Sequence, residues 1–102
     1  INDSKATTFS SSVSLLKSLT SVYWIVGGQA KKGDRLLLNK KNCKNFKAYI
    51  FGANKSFFIS EINKLMKYEY FLDLKSLIKK LSLEIKVDKE NINKTILFLT
   101  LR

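Results

Sequence analysis

The stretch NDSKAT, at positions 2–7, places an acid, an amine and two hydroxyls within six residues. Asp3 could accept hydrogen bonds from sugar hydroxyls, and Lys5 could neutralise a phosphate or a carboxylate. The same stretch could equally be the start of a helix, because Asp, Ser and Thr are preferred helix caps, and Lys5 would then be solvated. Spacing alone leaves both interpretations open.

A second stretch, GGQAKKGD at positions 27–34, follows an apolar run. Its paired glycines would let the backbone turn tightly, and Lys31 and Lys32 could hold a carboxylate or a phosphate. The stretch is not a phosphate-binding P-loop, G-x-x-x-x-G-K-[ST], because an aspartate and an arginine follow its last glycine. Taken alone, it is also compatible with a plain turn after a strand.

Residues for metal or nucleophilic chemistry are scarce in the sequence. The chain has no His and only one Cys, which excludes a His-dependent triad and a zinc site. Cys43 has no His neighbour in sequence, so we interpret it as an inert thiol that fits a reducing compartment. Glu61, Glu69 and Glu84 stand at unrelated spacings, and no pair resembles a general acid–base couple. We expect an anion-binding domain with no metal site and no complete catalytic apparatus.

The formal charge of +11 would suit a nucleic-acid-binding protein. Only Arg35 and Arg102 are arginines, however, and arginine is the residue that reads phosphate or guanine with two parallel hydrogen bonds. The lysines are scattered and form no long basic tract. We therefore expect no specific nucleic-acid partner. A small basic nucleic-acid-binding or interaction α/β domain is the alternative function.

Short β-rich runs alternate with segments of helical spacing along all 102 residues. The strands are expected at 22–26, 46–51, 68–71 and 95–99, and the helices at about 10–19, 54–66 and 73–86, with a weaker helix after Asp34. Thr7 or Thr8 would cap the first helix, and Asp73 the last. This alternation predicts one small doubly wound (Rossmann-like) α/β domain, with a mostly parallel sheet of about four strands and flanking helices.

In such folds ligands bind beyond the carboxyl ends of the strands. That edge would carry the loop at 27–34, the GANKS segment at 52–56 and the residues after Leu99. The NDSKAT stretch, expected as a loop that leads into the first helix, would bring backbone amides and a helix dipole to the same edge. The apolar runs VYWIV and TILFLTL are too short to cross a membrane, so we expect a cytoplasmic protein without a membrane partner.

Together, NDSKAT before a helix, the strand VYWIVGG with a lysine three residues after its second glycine, and KAYIFG before the next helix resemble the C-terminal domain of the Mur ligases. Within that family the resemblance is closest to the members that add D-glutamate, and it runs from Ile1 to about Phe98. It implies that residues 1–102 are a bacterial Mur ligase C-terminal domain, incomplete at both ends. The N-terminal and central domains would be missing.

The resemblance also implies a reaction. ATP phosphorylates the terminal carboxylate of UDP-N-acetylmuramoyl-L-alanine, and the amine of D-glutamate attacks the acyl phosphate, a step of peptidoglycan synthesis. Asp3 would bind the nucleotide ribose, and Lys5 would bind its phosphate and act catalytically on the acyl phosphate. Thr7 would lie near the incoming amino acid, and Lys31 would hold a carboxylate of D-glutamate. ATP and Mg would be bound mainly by the missing central domain.

One departure from the family pattern lies at the end of the chain. The family usually continues with SPA…SFD after the last strand, whereas this chain reads ILFLTLR. Half of the D-glutamate clamp would then be absent, and we expect the isolated chain to be inactive. A stand-alone interaction domain or a nonfunctional remnant are the remaining alternatives.

Overall fold

The computed structural model describes residues 2–6, 8–29, 35–88 and 94–101. Within these ranges the chain forms five strands and three α-helices. In chain order they are β1 Asn2–Ala6, α1 Phe9–Ser18, β2 Ser21–Gly28, β3 Asn45–Phe51, α2 Lys55–Ile62, β4 Lys67–Phe71, α3 Leu74–Val87 and β5 Thr95–Leu101. A short 3-10 helix, Lys40–Cys43, lies between β2 and β3.

The five strands form one sheet in the order β1-β5-β2-β3-β4, and every neighbouring pair is parallel. The connections from β1 to β4 move across the sheet in one direction and keep α1 and α2 on one face. The connection from β4 to β5 runs back the other way and carries α3 on the opposite face. Right-handed crossovers require this arrangement. The predicted doubly wound, mostly parallel α/β fold is confirmed.

Strand β1 corrects the expectation that the NDSKAT stretch is a loop. Its residues pair with β5 from Asn2 with Thr95 to Ala6 with Leu99, so the sheet has five strands where the sequence predicts about four. The stretch contains no apolar alternation that would indicate a strand. Because β1 is an edge strand, only one of its sides is hydrogen-bonded within the sheet, and polar residues are tolerated there.

Side chains of the three central strands alternate between the two covered faces. On one face, Trp24 is fully buried and packs in a core to which α1 contributes Leu16 and α2 contributes Phe58. On the other face, Tyr49 is fully buried in a second core built with Leu77 of α3. Burial on both faces explains the continuous apolar character of these strands in the sequence.

Helix boundaries follow the capping residues. Thr8 caps α1 and forms a capping box with Ser11, and Asp73 caps α3 by accepting a hydrogen bond from Ser76 N–H at 2.8 Å, both as the sequence predicts. Helix α2 ends at Ile62, four residues before its expected end, and Ile62 C=O accepts hydrogen bonds from Leu65 N–H at 2.9 Å and Met66 N–H at 3.1 Å in the turn that follows.

The expected weak helix after Asp34 is wrong over residues 35–39, where the chain has no helical structure. A single 3-10 turn at Lys40–Cys43 takes its place, capped by the side chain of Asn39. The poor apolar stripe of this segment buries only Leu36 and Cys43, too little to stabilise a full helix by packing.

Candidate ligand-binding edge of the sheet

Glycines shape the carboxyl edge of β2 and β3. A Cβ atom on Gly27 would lie 2.6 Å from the carbonyl oxygen of Phe51, so only glycine allows the two strand ends to approach this closely. Gly28 and Gly52 have φ angles of 94° and 95°, in the left-handed region that other residues rarely adopt. The paired glycines of the sequence therefore have a structural reason, and they leave main chain rather than side chains at this edge.

Helix α2 begins at the same edge, and a tyrosine fixes its entry. The Tyr70 hydroxyl donates to the carbonyl oxygen of Gly52 at 2.9 Å, and Lys55 Nζ lies 5.1 Å from the centre of the Tyr70 ring. Lys55, the first residue of α2, is a cation that sequence reasoning did not single out. The only sequence feature that could have indicated Lys55 as a binding residue is its position in the GANKS segment, directly after a strand.

The loop after β2 returns to the fold at Leu36. Its backbone N–H donates to Glu61 Oε1 of α2 at 3.1 Å, and its side chain is buried in the core. The loop is thus anchored at Gly28 on one side and at Leu36 on the other. Lys31 lies between these anchors but outside the described residues, so its predicted role stays a prediction.

The residues of the NDSKAT stretch occupy a different place from the one the sequence suggests. Lys5 is exposed and lies within β1, paired in register with Phe98, while the backbone of Asp3 pairs with Ile96. Thr7 lies outside the described residues. The helix cap is Thr8, whose hydroxyl accepts from Ser11 N–H at 3.1 Å. The residue that caps the helix is therefore Thr8, and Lys5 is exposed to solvent.

The topology brings the end of the NDSKAT stretch and the start of the GGQAKKGD stretch to one edge of the sheet. Strands β1 and β2 flank β5 and all three run parallel, so their carboxyl ends share that edge. With neighbouring strands about 4.8 Å apart, the ends of β1 and β2 are separated by roughly 10 Å. This distance suits a ligand that bridges both ends, as a nucleotide or an amino acid with two charged groups could.

The opposite half of the sheet holds a polar cluster on the α3 face. Tyr49 donates its hydroxyl hydrogen to Glu84, and Lys47 Nζ lies 3.0 Å from the same carboxylate and 3.2 Å from Glu69. Burial acts to raise the pKa of Glu84, but the hydrogen bonds from Tyr49 and Lys47 outweigh it and hold this pKa below its usual value.

A second cluster of the same kind lies beside it. Tyr23 donates its hydroxyl hydrogen to Asp88, and Lys94 Nζ lies 2.7 Å from that carboxylate and 5.0 Å from the centre of the Tyr23 ring. Burial first, and then the bonded carboxylate, raises the pKa of both Tyr23 and Tyr49 above the ordinary range of tyrosine. Both tyrosines therefore remain donors, and Glu84 of α3 and Asp88 at its C-terminal cap hold the helix against the sheet.

Cys43 is buried, and its thiol lies 3.5 Å from the carbonyl oxygen of Asn39. Burial raises the pKa of this thiol, which opposes formation of the reactive thiolate. Among the described residues, no group of three or more His, Cys, Asp or Glu could hold a metal ion. No helix in the described part of the chain is long and apolar enough to cross a membrane.

Curated relatives match most of this chain. A UDP-N-acetylmuramoylalanine–D-glutamate ligase of Francisella tularensis subsp. tularensis (strain SCHU S4) is 34% identical over 101 residues, which are 95% of this chain and 23% of the relative. The ligase of the same name from Bartonella henselae is 36% identical over 78 residues, 76% of this chain and 17% of the relative. The ligase of the same name from Wolbachia sp. subsp. Brugia malayi is 37% identical over 68 residues, which are 67% of this chain and 14% of the relative.

The chain is related to the UDP-N-acetylmuramoylalanine–D-glutamate ligases. No family model matches it, and no solved structure matches it significantly. The chain spans between 14% and 23% of the length of these three ligases. The predicted resemblance to the D-glutamate-adding Mur ligases is confirmed. The similarity does not test the roles of individual residues, so those of Asp3, Lys5, Thr7 and Lys31 stay predictions.

Proposed function

We propose that the chain is the C-terminal domain of an ATP-dependent ligase that adds D-glutamate to UDP-N-acetylmuramoyl-L-alanine. The observation that carries the proposal is the 34% identity to a ligase of this name over 95% of the chain. The small share of the relatives that the chain spans supports a domain of a larger enzyme. Peptidoglycan synthesis in the bacterial cytoplasm, and through it cell shape and division, would be the process served.

The proposed chemistry is the formation of an amide from a carboxylate. A carboxylate is a poor electrophile, and phosphorylation by ATP supplies the leaving group that it lacks. A domain at the edge of such a site contributes positioning and charge neutralisation. ATP and Mg²⁺ would be held mainly by a central domain, as the resemblance to the Mur ligases implies.

Within this chain, we assign Lys5 to the phosphate and Asp3 to the ribose of the nucleotide. Support for Lys5 comes from its exposed position on β1, which ends next to the first turn of α1. A lysine and a helix N-terminus together create a positive potential that favours phosphate. Thr7, between β1 and α1, would contact the incoming amino acid.

Lys31 is assigned to a carboxylate of D-glutamate. Its support is its place in the sequence, three residues after Gly28, which is the last residue of β2. The carboxyl end of β2 is at the edge of the sheet where doubly wound folds bind ligands. Lys32 next to it offers a matched control, because it has the same charge and the neighbouring position.

The test replaces the matched segment of a relative's full-length ligase with residues 1–98 of this chain, so that the relative supplies the other domains and its own ending. Lys31→Ala should raise the KM for D-glutamate about 10-fold or more, the effect of losing one charged hydrogen bond, with the KM for ATP little changed. Lys32→Ala should leave both KM values nearly unchanged. Equal increases of both KM values in Lys31→Ala would overturn the role of Lys31.

Two further measurements test the proposal as a whole. Lys5→Gln in the same chimera should lower kcat by about 100-fold, and Lys17→Gln on α1 is its matched control. The isolated 102-residue chain should release no phosphate from ATP when D-glutamate and the nucleotide substrate are present. Release of phosphate by that chain alone would contradict its assignment as a domain that depends on others.

A further inference from the structure

The amino-terminal end of the sheet carries a cleft that the proposed function does not use. It has a volume of about 1500 Å³, and its walls include the first residues of β3 and β4, the 3-10 helix, the turn that follows α2 and the C-terminal end of α3. Strand β3 has seven residues, so roughly 20 Å separate this cleft from the glycine turns of the carboxyl edge.

Lysines dominate the charge of the cleft. Seven of the 17 lysines of the chain line it, against two acids, Glu84 and Asp88. Lys47 and Lys94 bind those two acids at 3.0 and 2.7 Å. The remaining five make no ion pair with any described residue, and all five are exposed: Lys40, Lys41, Lys44, Lys64 and Lys67.

Compensation of the helix dipoles accounts for only part of this charge. The C-terminal ends of α2 and α3 each contribute about half a negative charge. Together with Glu84, Asp88 and Glu69, which lies 3.2 Å from Lys47, they amount to about four negative charges, against seven lysines. An excess of about three positive charges remains. The cleft therefore attracts anions more strongly than the stability of the fold requires.

The shape and chemistry of the walls indicate the kind of anion. The volume exceeds the roughly 300–1,000 Å³ of pockets for drug-sized ligands, which favours a segment of a polymer. Tyr68 of β4 lines the cleft and is 39% exposed, so its ring is accessible for stacking. Three amide side chains add hydrogen-bonding groups to the walls: Asn39, Asn45 and Asn63.

We propose that this cleft binds single-stranded nucleic acid without sequence preference. A positive groove with an aromatic side chain on which bases stack is the usual arrangement for such binding. Lysine contacts phosphate as a point charge and does not read base edges with two bonds, as arginine does. This agrees with the scarcity of arginine and with the expectation of no specific nucleic-acid partner.

The test measures fluorescence anisotropy of a labelled oligo(dT) of about 12 nucleotides with the 102-residue chain, at about 50 and about 200 mM salt. The cleft variant Lys40→Gln/Lys41→Gln/Lys44→Gln should lose at least about 10-fold in affinity at the lower salt. Its slope of log K against log salt should fall by about 2, because each lost phosphate contact contributes about 0.7.

The control variant Lys17→Gln/Lys75→Gln/Lys79→Gln removes the same charge from exposed lysines outside the cleft. Its affinity should fall less than about 3-fold, because exposed charges beyond the Debye length are screened. Equal losses in the two variants would overturn the proposal and assign the binding to the general basic surface. Absence of binding at the lower salt would overturn it as well.

Two more measurements distinguish single-stranded nucleic acid from an acidic protein as the ligand of the cleft. Tyr68→Leu should weaken binding about 5-fold or more, since stacking of one base is lost. Competition by poly-glutamate as effective as that by unlabelled oligonucleotide would overturn the proposal in favour of an acidic protein. If circular dichroism shows that the triple cleft variant is unfolded, the affinity of Lys64→Gln/Lys67→Gln for the oligonucleotide is compared with that of the control variant instead. None of these residues lies at the carboxyl edge, so the outcome is independent of the proposed ligase function.

Discussion

The two ends of the parallel sheet are built differently. At the carboxyl edge, main-chain geometry determines the shape, through the close approach of Gly27 to Phe51 and the left-handed Gly28. In the amino-terminal half on the α3 face, side chains bond one another, with Tyr49 and Lys47 both bound to Glu84. The glycines shape the edge where the ligase substrates are proposed to bind, and the side-chain bonds at the other end hold α3 against the sheet.

This difference teaches where binding and stability can be changed separately. Substitutions in the polar clusters should alter the free energy of unfolding and leave ligand affinity at the carboxyl edge unchanged. Substitutions of loop lysines at the carboxyl edge should do the reverse. The glycines are the exception, because they shape the ligand edge and also lie within the sheet.

The largest effect is expected for Gly27→Ala. The added Cβ would meet the carbonyl oxygen of Phe51 at 2.6 Å, and that oxygen cannot withdraw without disturbing the pairing of β2 with β3. We expect a loss of about 3 kcal/mol in the free energy of unfolding, measured by urea titration. Gly52→Ala is the control, because its Cβ would make only an ordinary contact with Gly28 N at 3.9 Å but would have a strained φ, and it should lose only about 1–2 kcal/mol. An equal or larger loss in Gly52→Ala would contradict the importance of the close contact.

The next effect concerns the polar cluster. Glu84→Leu leaves the buried Tyr49 hydroxyl without its acceptor and should lower the free energy of unfolding by about 2 kcal/mol. Tyr49→Phe removes the donor instead, while Glu84 keeps Lys47, and should cost about 1 kcal/mol. The double variant should cost less than the sum of the two, as a double-mutant cycle in urea would reveal. Strict additivity would show that the two side chains do not interact.

A smaller effect is expected at the cap of α1. Thr8→Ala removes the acceptor of Ser11 N–H and should lower the free energy of unfolding by about 1 kcal/mol. Thr20→Ala, at an exposed bend after the same helix, is the matched control. Thermal unfolding of the two variants gives the comparison, and equal shifts in Tm would contradict the capping role.

The smallest effect is expected in the pH dependence. Because the pKa of Glu84 is lower in the folded state, its contribution to stability is present above its unfolded pKa of about 4.3 and is lost as the pH falls through the folded value. The native protein should therefore lose slightly more stability between about pH 6 and about pH 3 than Glu84→Gln does. Urea titrations at both pH values measure this. The same loss in both proteins would contradict the lowered pKa.

Local chemistry made much of the fold predictable. The segments that became β2, β3 and β5 are apolar on both faces, and the α1 and α3 caps are residues whose side chains bind the first turn of their own helix. Signals of this kind act over a few residues and can be read from sequence. The carboxyl edge followed from the alternation of strands and helices.

What sequence could not provide depends on partners distant along the chain. Strand β1 is defined by its pairing with β5, and the tyrosine–carboxylate bonds join β2 and β3 to α3. The acceptors of Tyr23 and Tyr49, which are Asp88 and Glu84, could not be inferred from spacing. The same holds for Tyr70, which fixes the entry of α2 and holds Lys55 near the ligand edge.

The central position of the last strand has a consequence for how the chain folds during synthesis. Strand β5 lies between β1 and β2, and β1 has no other neighbour in the sheet. While a ribosome makes the chain, β2, β3 and β4 can pair soon after they emerge, but β1 must wait until residues 95–101 have left the exit tunnel. Closing a loop of this length is slow, because its entropy is lost before the contacts form. Strand β1, which carries Lys5, is therefore synthesised before β2, β3 and β4 but joins the sheet after them.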